Sequence, residues 1–236
     1  MSVDKKIDQT DLTFFTNEEG HSLLSRFKST LKDTQLFDVL VGYFRASGFY
    51  QLYDALEPVE KIRILVGLSI DRDSYDVMQY HQQNGIIDFE SHQRTKKKYQ
   101  ENLKEEIENT AENDNRLEIG IRKFIEFLKA DCQDPEMDNA YNGNGKKLEI
   151  RAYPSKNIHA KVYIGKFKPE DRDYGFVITG SSNFSESGFV ANREFNVELR
   201  GKRDVLFAED QFNALWKDSV DISDDFVDTI QNKTWL

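Results

Sequence analysis

Phe37-Asp38-Val39-Leu40-Val41-Gly42-Tyr43-Phe44 is interrupted only by Asp38 and Gly42 and is otherwise aliphatic or aromatic. A short, almost continuous apolar run of this length reads as a strand covered on both faces. Upstream, between Glu18 and Leu31, the residues Leu23, Leu24, Phe27 and Leu31 recur at helical spacing. Downstream the order repeats: a helix from about Ser47 to Leu56, then a second buried strand from Lys61 to Leu68 (KIRILVGL). Helix, buried strand, helix, buried strand predicts an α/β fold, a mixed central β-sheet flanked by helices.

Residues from about 71 to 130 offer no strand. Lys96 to Glu112 is dense in charge, and Leu117, Ile121, Phe124, Ile125 and Leu128 form an amphipathic stripe, so the segment reads as a helical insertion. Its basic patch Arg94-Thr95-Lys96-Lys97-Lys98 reads as a solvated helix face. A loop rich in Asp, Asn and Gly (Asp131 to Gly145) precedes strands at Lys147–Tyr153, Ala160–Gly165, Tyr174–Thr179 and Phe195–Arg200. A helix containing Val205, Leu206, Phe212, Leu215 and Trp216 follows. With 236 residues, no repeat and no low-complexity segment, residues 1–236 are expected to form one domain carrying a helical excursion. The ending Thr234-Trp235-Leu236 has no polar tail, from which a chain excised from a longer polypeptide is expected.

A lone cysteine, Cys132 in a turn-rich stretch, excludes an internal disulfide and a multi-cysteine zinc site, and is expected to be a spectator in a reducing cytoplasm. The beginning MSVDKKIDQTDLTFF lacks the apolar core of a signal peptide. No run approaches the roughly 18 apolar residues of a membrane span, so a soluble protein without membrane contact is expected. The net charge of −10 and pI near 5.0 exclude a basic coat for blanket nucleic-acid binding. That charge is uneven. Lys146 to Lys168 carries seven cations and one acid, a local +6, leaving −16 elsewhere. A focused basic cleft in an acidic shell is the expectation.

Candidate chemistry sits in the same region. His159-Ala160-Lys161 opens a strand, and residues two apart in a strand project to one face, so an imidazole and an ammonium stand side by side. That pair suits an anion. After the next strand comes Gly180-Ser181-Ser182-Asn183, whose small and short polar residues let backbone N–H groups approach a phosphate. Asn192-Arg193-Glu194 follows, with Glu198 as a second carboxylate. Rival motifs fail: Gly145-Lys146 lacks the rest of a phosphate-binding loop, and His21, His81 and His92 have no zinc spacing.

Taken together, His159-x-Lys161, Gly180-Ser181-x-Asn183 and Glu194 resemble the active-site motif of the phospholipase D superfamily. The likeness spans about Ile158 to Glu198 and extends more loosely to Val41-Gly42-Tyr43-Phe44 with Ser47-Gly48, similar to the first strand of nuclease-type members. It implies a phospholipase D-like half-domain without metal or other cofactor. In that chemistry one His159 attacks phosphorus and a second donates a proton to the leaving oxygen. Lys161 and Asn183, assisted by Ser181, hold the non-bridging oxygens, and Glu194 orients the imidazole, with Glu198 as the alternative for that role. Two departures stand out. The superfamily's aspartate five residues after the lysine is here Lys166, with Asp171 or Asp173 as candidate substitutes, and the motif occurs once, so the resemblance implies a homodimer that pairs two His159 side chains.

Single-motif members that the chain resembles include small bacterial endonucleases and the cleavage domains of some restriction and helicase-linked defence proteins. DNA is therefore the expected substrate, with a helicase or DNA-recognition domain in the same polypeptide as a further expected partner. Two other readings stay open: a DNA-binding or dimerisation module without turnover, and a phospholipid phosphodiesterase.

Overall fold

The computed structural model describes residues 13–18, 22–42, 44–67, 97, 100–101, 115–153 and 158–233. Its strands are β1 (Phe14–Thr16), β2 (Thr34–Val41), β3 (Lys61–Gly67), β4 (Leu148–Tyr153), β5 (Lys161–Phe167), β6 (Gly175–Gly180), β7 (Phe195–Leu199) and β8 (Val220–Asp221). They form one sheet in the order β1-β7-β6-β5-β2-β3-β4-β8. β2, β3 and β4 run parallel, and every other pairing is antiparallel, so the sheet is mixed, as expected. The helices are α1 (Leu23–Thr30), α2 (Ala46–Leu56), α3 (Asn115–Lys129), α4 (Pro135–Ala140), α5 (Lys202–Lys217) and α6 (Ser223–Lys233).

Two apolar layers hold the helices to the sheet. On one face, Phe37, Val39, Val41, Ile62, Ile64, Val66, Ile150 and Tyr163 meet Phe27 of α1, Phe49 and Leu52 of α2, Phe124 of α3 and Phe226 of α6. On the other face Leu40, Leu65, Ile164 and Val177 meet Val205, Phe212 and Trp216 of α5. Because side chains alternate along a strand, β3 sends Ile62, Ile64 and Val66 into the first layer and Lys61, Arg63 and Leu65 toward the α5 side. That side is therefore polar at one end of the sheet. Arg63 donates from Nε and Nη2 to Asp38 Oδ1 and Oδ2 at 2.7 and 2.6 Å, a bidentate pair that is fully buried. Burial pushes the Asp38 carboxyl up, and the Arg63 guanidinium beside it opposes that rise. Lys61, also buried, donates to Asp138 at 2.5 Å, to the Lys146 carbonyl at 2.6 Å and to Glu149.

Those Lys61 bonds pin the segment expected as a plain loop between Asp131 and Gly145. It contains α4, for which Asp134 is the N-cap, accepting from the Glu136 and Met137 N–H groups at 3.0 Å each, with Pro135 in the first turn. Strand β2 begins at Thr34 and ends at Val41, short of the expected Phe44, although Gly42 N–H still donates to the Ala160 carbonyl at 3.0 Å, one residue beyond the Val41–Lys161 pair. Phe44 instead makes an isolated bridge with Phe184. Of the expected insertion, α3 and helical positions at Lys97, Gln100 and Glu101 are described; Lys97 pairs with Glu101 at 3.9 Å on an exposed face. The rest of the insertion, including Arg94, lies outside the described residues. Among the described residues no helix is long and apolar enough to cross a membrane. Cys132 is buried, and burial raises its thiol pKa.

Candidate active site

Topology makes the site. Strand β4 ends at Tyr153 beside Gly67, β5 starts at Lys161 beside Val41, and Ile158 and His159, just ahead of β5, lie over the ends of β3 and β2. Two glycines make that approach possible. A β-carbon at Gly42 would lie 2.5 Å from the Ile158 carbonyl oxygen and 3.2 Å from His159 Cα, and one at Gly67 would lie 2.7 Å from the same oxygen. The strap thus rests directly on two bare backbones, and His159 emerges exposed at the end of the sheet.

Lys161 is the first residue of β5 and is buried, at 9% exposure. Its Nζ donates to the His159 carbonyl at 3.0 Å and lies 3.4 and 3.5 Å from Nδ1 and Nε2 of the His159 ring. No carboxylate pairs with Lys161 among the described residues. A buried ammonium without a counter-charge is costly unless an anion completes its surroundings. The antiparallel register of β5 and β6 pairs Val162 with Thr179, which sets Lys161 across from Gly180, and Thr179 Oγ1 donates to the Lys161 carbonyl at 2.9 Å.

The Gly180–Asn183 turn is braced from several sides. Ser181 N–H donates to the Phe195 carbonyl at 3.1 Å, while Ser181 Oγ accepts from Phe195 N–H at 3.2 Å and donates to Glu194. Tyr163, two residues beyond Lys161 and fully buried, donates its hydroxyl to the Ser182 carbonyl at 2.8 Å, and Asn196 Nδ2 donates to Ser182 Oγ at 3.0 Å. Burial drives the Tyr163 hydroxyl pKa well up, and the Glu194 charge adds to the rise. Gly188 presses on the Asn183 backbone, where a β-carbon would sit 2.3 Å from the carbonyl oxygen; Asn17 Nδ2 donates to the Gly188 carbonyl at 2.6 Å. Asn183 Oδ1 is buried without a hydrogen-bond partner. Tyr163, Asn196, Asn17 and the two glycines carry no chemical signature, which is why motif reading passes over them.

The family model described as cardiolipin synthase, PLD-like domain, matches residues 29–216. The chain belongs to the phospholipase D superfamily. Phosphodiester chemistry is therefore its coarse function. Similar solved structures include Nuc, a phospholipase D family member from Salmonella typhimurium (15% identity, 88% of this chain and 95% of that one, TM-score 0.44). NucT from Helicobacter pylori is similar at 13% identity (84% and 90%, TM-score 0.41). Phosphatidylserine synthase from Haemophilus influenzae Rd KW20 is similar at 10% identity (89% and 39%, TM-score 0.45). No curated protein sequence matches the chain.

Within this phospholipase D-like chain the motif residues His159, Lys161, Ser181, Asn183 and Glu194 all gather at one end of β5, β6 and β7. Glu194, however, accepts from Ser181 and, at 3.2 Å, from Asn192 Nδ2, and makes no hydrogen bond to His159. Glu198 is committed elsewhere: Arg26 lies 3.2 Å from one oxygen and Arg200 donates to the other at 2.7 Å. Lys166 lies at the far end of β5, where it donates to the Tyr141 hydroxyl at 2.6 Å. Asp171 and Asp173 lie on the hairpin at that same far end. Asp171 caps the turn by accepting from Asp173 N–H at 3.0 Å, and Asp173 pairs with Arg200 at 3.6 Å.

Among the described residues, the run Lys146 to Lys168 does not gather its cations in one cleft; Lys156 lies outside them. Lys146 pairs with Asp131 at 2.8 Å, Lys147 donates to the Glu57 carbonyl at 2.7 Å, and Arg151 pairs with Glu149 at 3.2 Å. A run that enters along β4 and leaves along β5 distributes its cations over both ends of the sheet, and of those described only Lys161 stands against His159.

Proposed function

We propose that the chain is a metal-independent phosphodiesterase that cleaves DNA through a phosphohistidine intermediate at a site shared by two copies. The observation that carries this reading is Lys161: a buried ammonium with no carboxylate partner among the described residues, within 3.5 Å of the exposed His159 ring. The pair offers a nucleophile beside an unclaimed positive charge. The turn that carries Ser181 and Asn183 follows Gly180, across the β5–β6 register from Lys161, and the Ser181 hydroxyl and Asn183 Nδ2 are further donors for the phosphate oxygens.

In the reaction a His159 ring nitrogen attacks phosphorus, a P–N bond forms and one P–O ester bond breaks, and a second His159 protonates the departing oxygen. Water then attacks the phosphorus, breaks the P–N bond and leaves a phosphate monoester, its proton passing to the second imidazole. Lys161 and Asn183 stabilise the charge that shifts onto the non-bridging oxygens. Glu194 is the carboxylate that orients the imidazole; within one chain it accepts from Ser181 and Asn192. DNA is preferred among phosphodiesters from the likeness of Val41-Gly42-Tyr43-Phe44 to nuclease-type first strands; a partner domain would supply sequence recognition.

Cleavage of single- and double-stranded DNA in excess EDTA, with hydrolysis of phospholipid vesicles measured in parallel, tests the proposal. DNA cleavage that survives chelation and disappears in His159→Ala is expected. Cleavage lost on chelation overturns the mechanism, hydrolysis of vesicles in place of DNA overturns the substrate, and DNA binding without turnover overturns the enzyme.

A further inference from the structure

Tyr163 lies two residues beyond Lys161 on β5, so the two side chains project from the same face of the strand. Its hydroxyl donates to the Ser182 carbonyl at 2.8 Å, and its ring packs on Phe184 with centroids 6.5 Å apart. Tyr163 therefore holds both the residue before Asn183 and the residue after it. The ring is itself fixed by aromatic neighbours: Phe27 meets it edge-on at 5.0 Å, Phe37 stacks on it at 6.5 Å, and Phe189 meets it edge-on at 6.5 Å. From β7, Asn196 Nδ2 donates to Ser182 Oγ at 3.0 Å. Ser182, Tyr163 and Asn196 are all buried. Two strands thus grip one residue of the Gly180–Asn183 turn, and one of them is the strand that carries Lys161.

We propose that Tyr163 and Asn196 are positioning residues that act through Ser182, fixing the reach of Asn183 relative to Lys161 and so the place where a phosphate meets both. The inference rests on the phosphodiester reading above, and on neither DNA nor a second copy. Donors stabilise a shifting charge only when they stand about 2.7–3.1 Å from it, and a side chain keeps that distance when the groups behind it are locked. Ser182 has its carbonyl and hydroxyl oxygens both engaged, so it acts by where it holds Asn183. Burial, followed by the Glu194 charge, drives the Tyr163 hydroxyl pKa well up. The hydroxyl therefore stays a donor to Ser182 across neutral pH and takes no part in proton transfer.

Hydrolysis of bis(p-nitrophenyl) phosphate and binding of vanadate test this on the full chain, on Tyr163→Phe and Asn196→Ala, and on Tyr174→Phe, which loses a hydroxyl at the opposite end of the sheet. Vanadate takes up the five-coordinate geometry of phosphoryl transfer, so its affinity follows transition-state binding. With circular dichroism unchanged, Tyr163→Phe and Asn196→Ala are each expected to lower kcat per folded molecule about 10-fold with KM little changed. Both are expected to weaken vanadate by the same factor and to keep the shape of the pH–rate profile, and Tyr174→Phe to alter none of these. A wild-type kcat in Tyr163→Phe, a raised KM in place of a lowered kcat, or a vanadate affinity that does not follow kcat overturns the positioning role and leaves phosphodiester cleavage standing. The same losses in Tyr174→Phe mark a general loosening and overturn it too. Disappearance of one limb of the pH profile in Tyr163→Phe gives the hydroxyl a proton-transfer role and overturns the inference. A wild type that neither hydrolyses the diester nor binds vanadate overturns the phosphodiester reading, and the positioning role with it.

Discussion

The Ile158 carbonyl oxygen lies against Gly42, 2.5 Å from where a β-carbon would stand, and His159 Cα is 3.2 Å from the same point. The backbone of β2 thus sets how closely the His159 strap approaches the sheet. Gly42→Ala must push that strap outward, since the atoms in the way are backbone. We expect a stability loss of about 1–3 kcal/mol and a fall in kcat of up to about 100-fold, the scale of a displacement near 1 Å, with KM little changed. Steady-state kinetics and thermal melts check both parts.

Tyr163 holds the Ser182 carbonyl at 2.8 Å from a fully buried position. Removing the hydroxyl in Tyr163→Phe leaves that carbonyl without this donor and retains the ring packing against Phe27 and Phe37. The expected cost is about 1 kcal/mol, read as a fall of roughly 2–4 °C in Tm for a chain of this size.

Lys166 occupies the position at which the superfamily motif carries an aspartate. Its ammonium donates to Tyr141 at 2.6 Å and offsets the buried Asp38 and Glu209 charges. Restoring the motif residue with Lys166→Asp removes that bond and adds a third acid to the cluster. A stability loss of about 1–3 kcal/mol is expected, with kcat per folded molecule unchanged because the position lies at the far end of β5 from His159. Urea unfolding alongside single-turnover rates separates the two effects.

Tyr174 donates to Glu209 at 2.7 Å, and burial followed by that bond raises its hydroxyl pKa to about 12. The folded state then keeps a proton that the unfolded chain releases near pH 10. Stability from this group is complete below pH 10 and is lost as pH rises toward 12. Denaturant titrations over that range should show a steeper loss in the wild type than in Tyr174→Phe.

Much of the frame is legible in the sequence because β2 and β3 are long apolar runs between helix-periodic segments. The reading falls short where context decides. Strands β1 and β8 have three and two residues and show no alternation, and α6 carries too many acids for its apolar positions to stand out. Lys61 and Arg63 sit in a run read as uniformly buried, and only pairing across the sheet with Asp138, Glu149 and Asp38 explains how their charges are accommodated. Within the candidate site, His159 with Lys161 and Ser181 with Asn183 are neighbours in sequence, so local spacing places them. Gly42 and Gly67 matter only because Ile158 and His159 lie over two strand ends, a fact of topology. Local charge counting fails for a related reason: strands carry adjacent lysines to opposite ends and faces of the sheet.

The proposed mechanism turns on a covalent bond between His159 and substrate phosphorus. A single-turnover reaction with end-labelled DNA in excess EDTA, quenched under alkaline conditions and followed by peptide mapping, tests it most directly. A nucleotidyl adduct on His159 that forms and decays at rates matching product release, and is absent from His159→Ala, is the predicted result. Cleavage that proceeds with no adduct at position 159, or that continues in His159→Ala, would contradict the account.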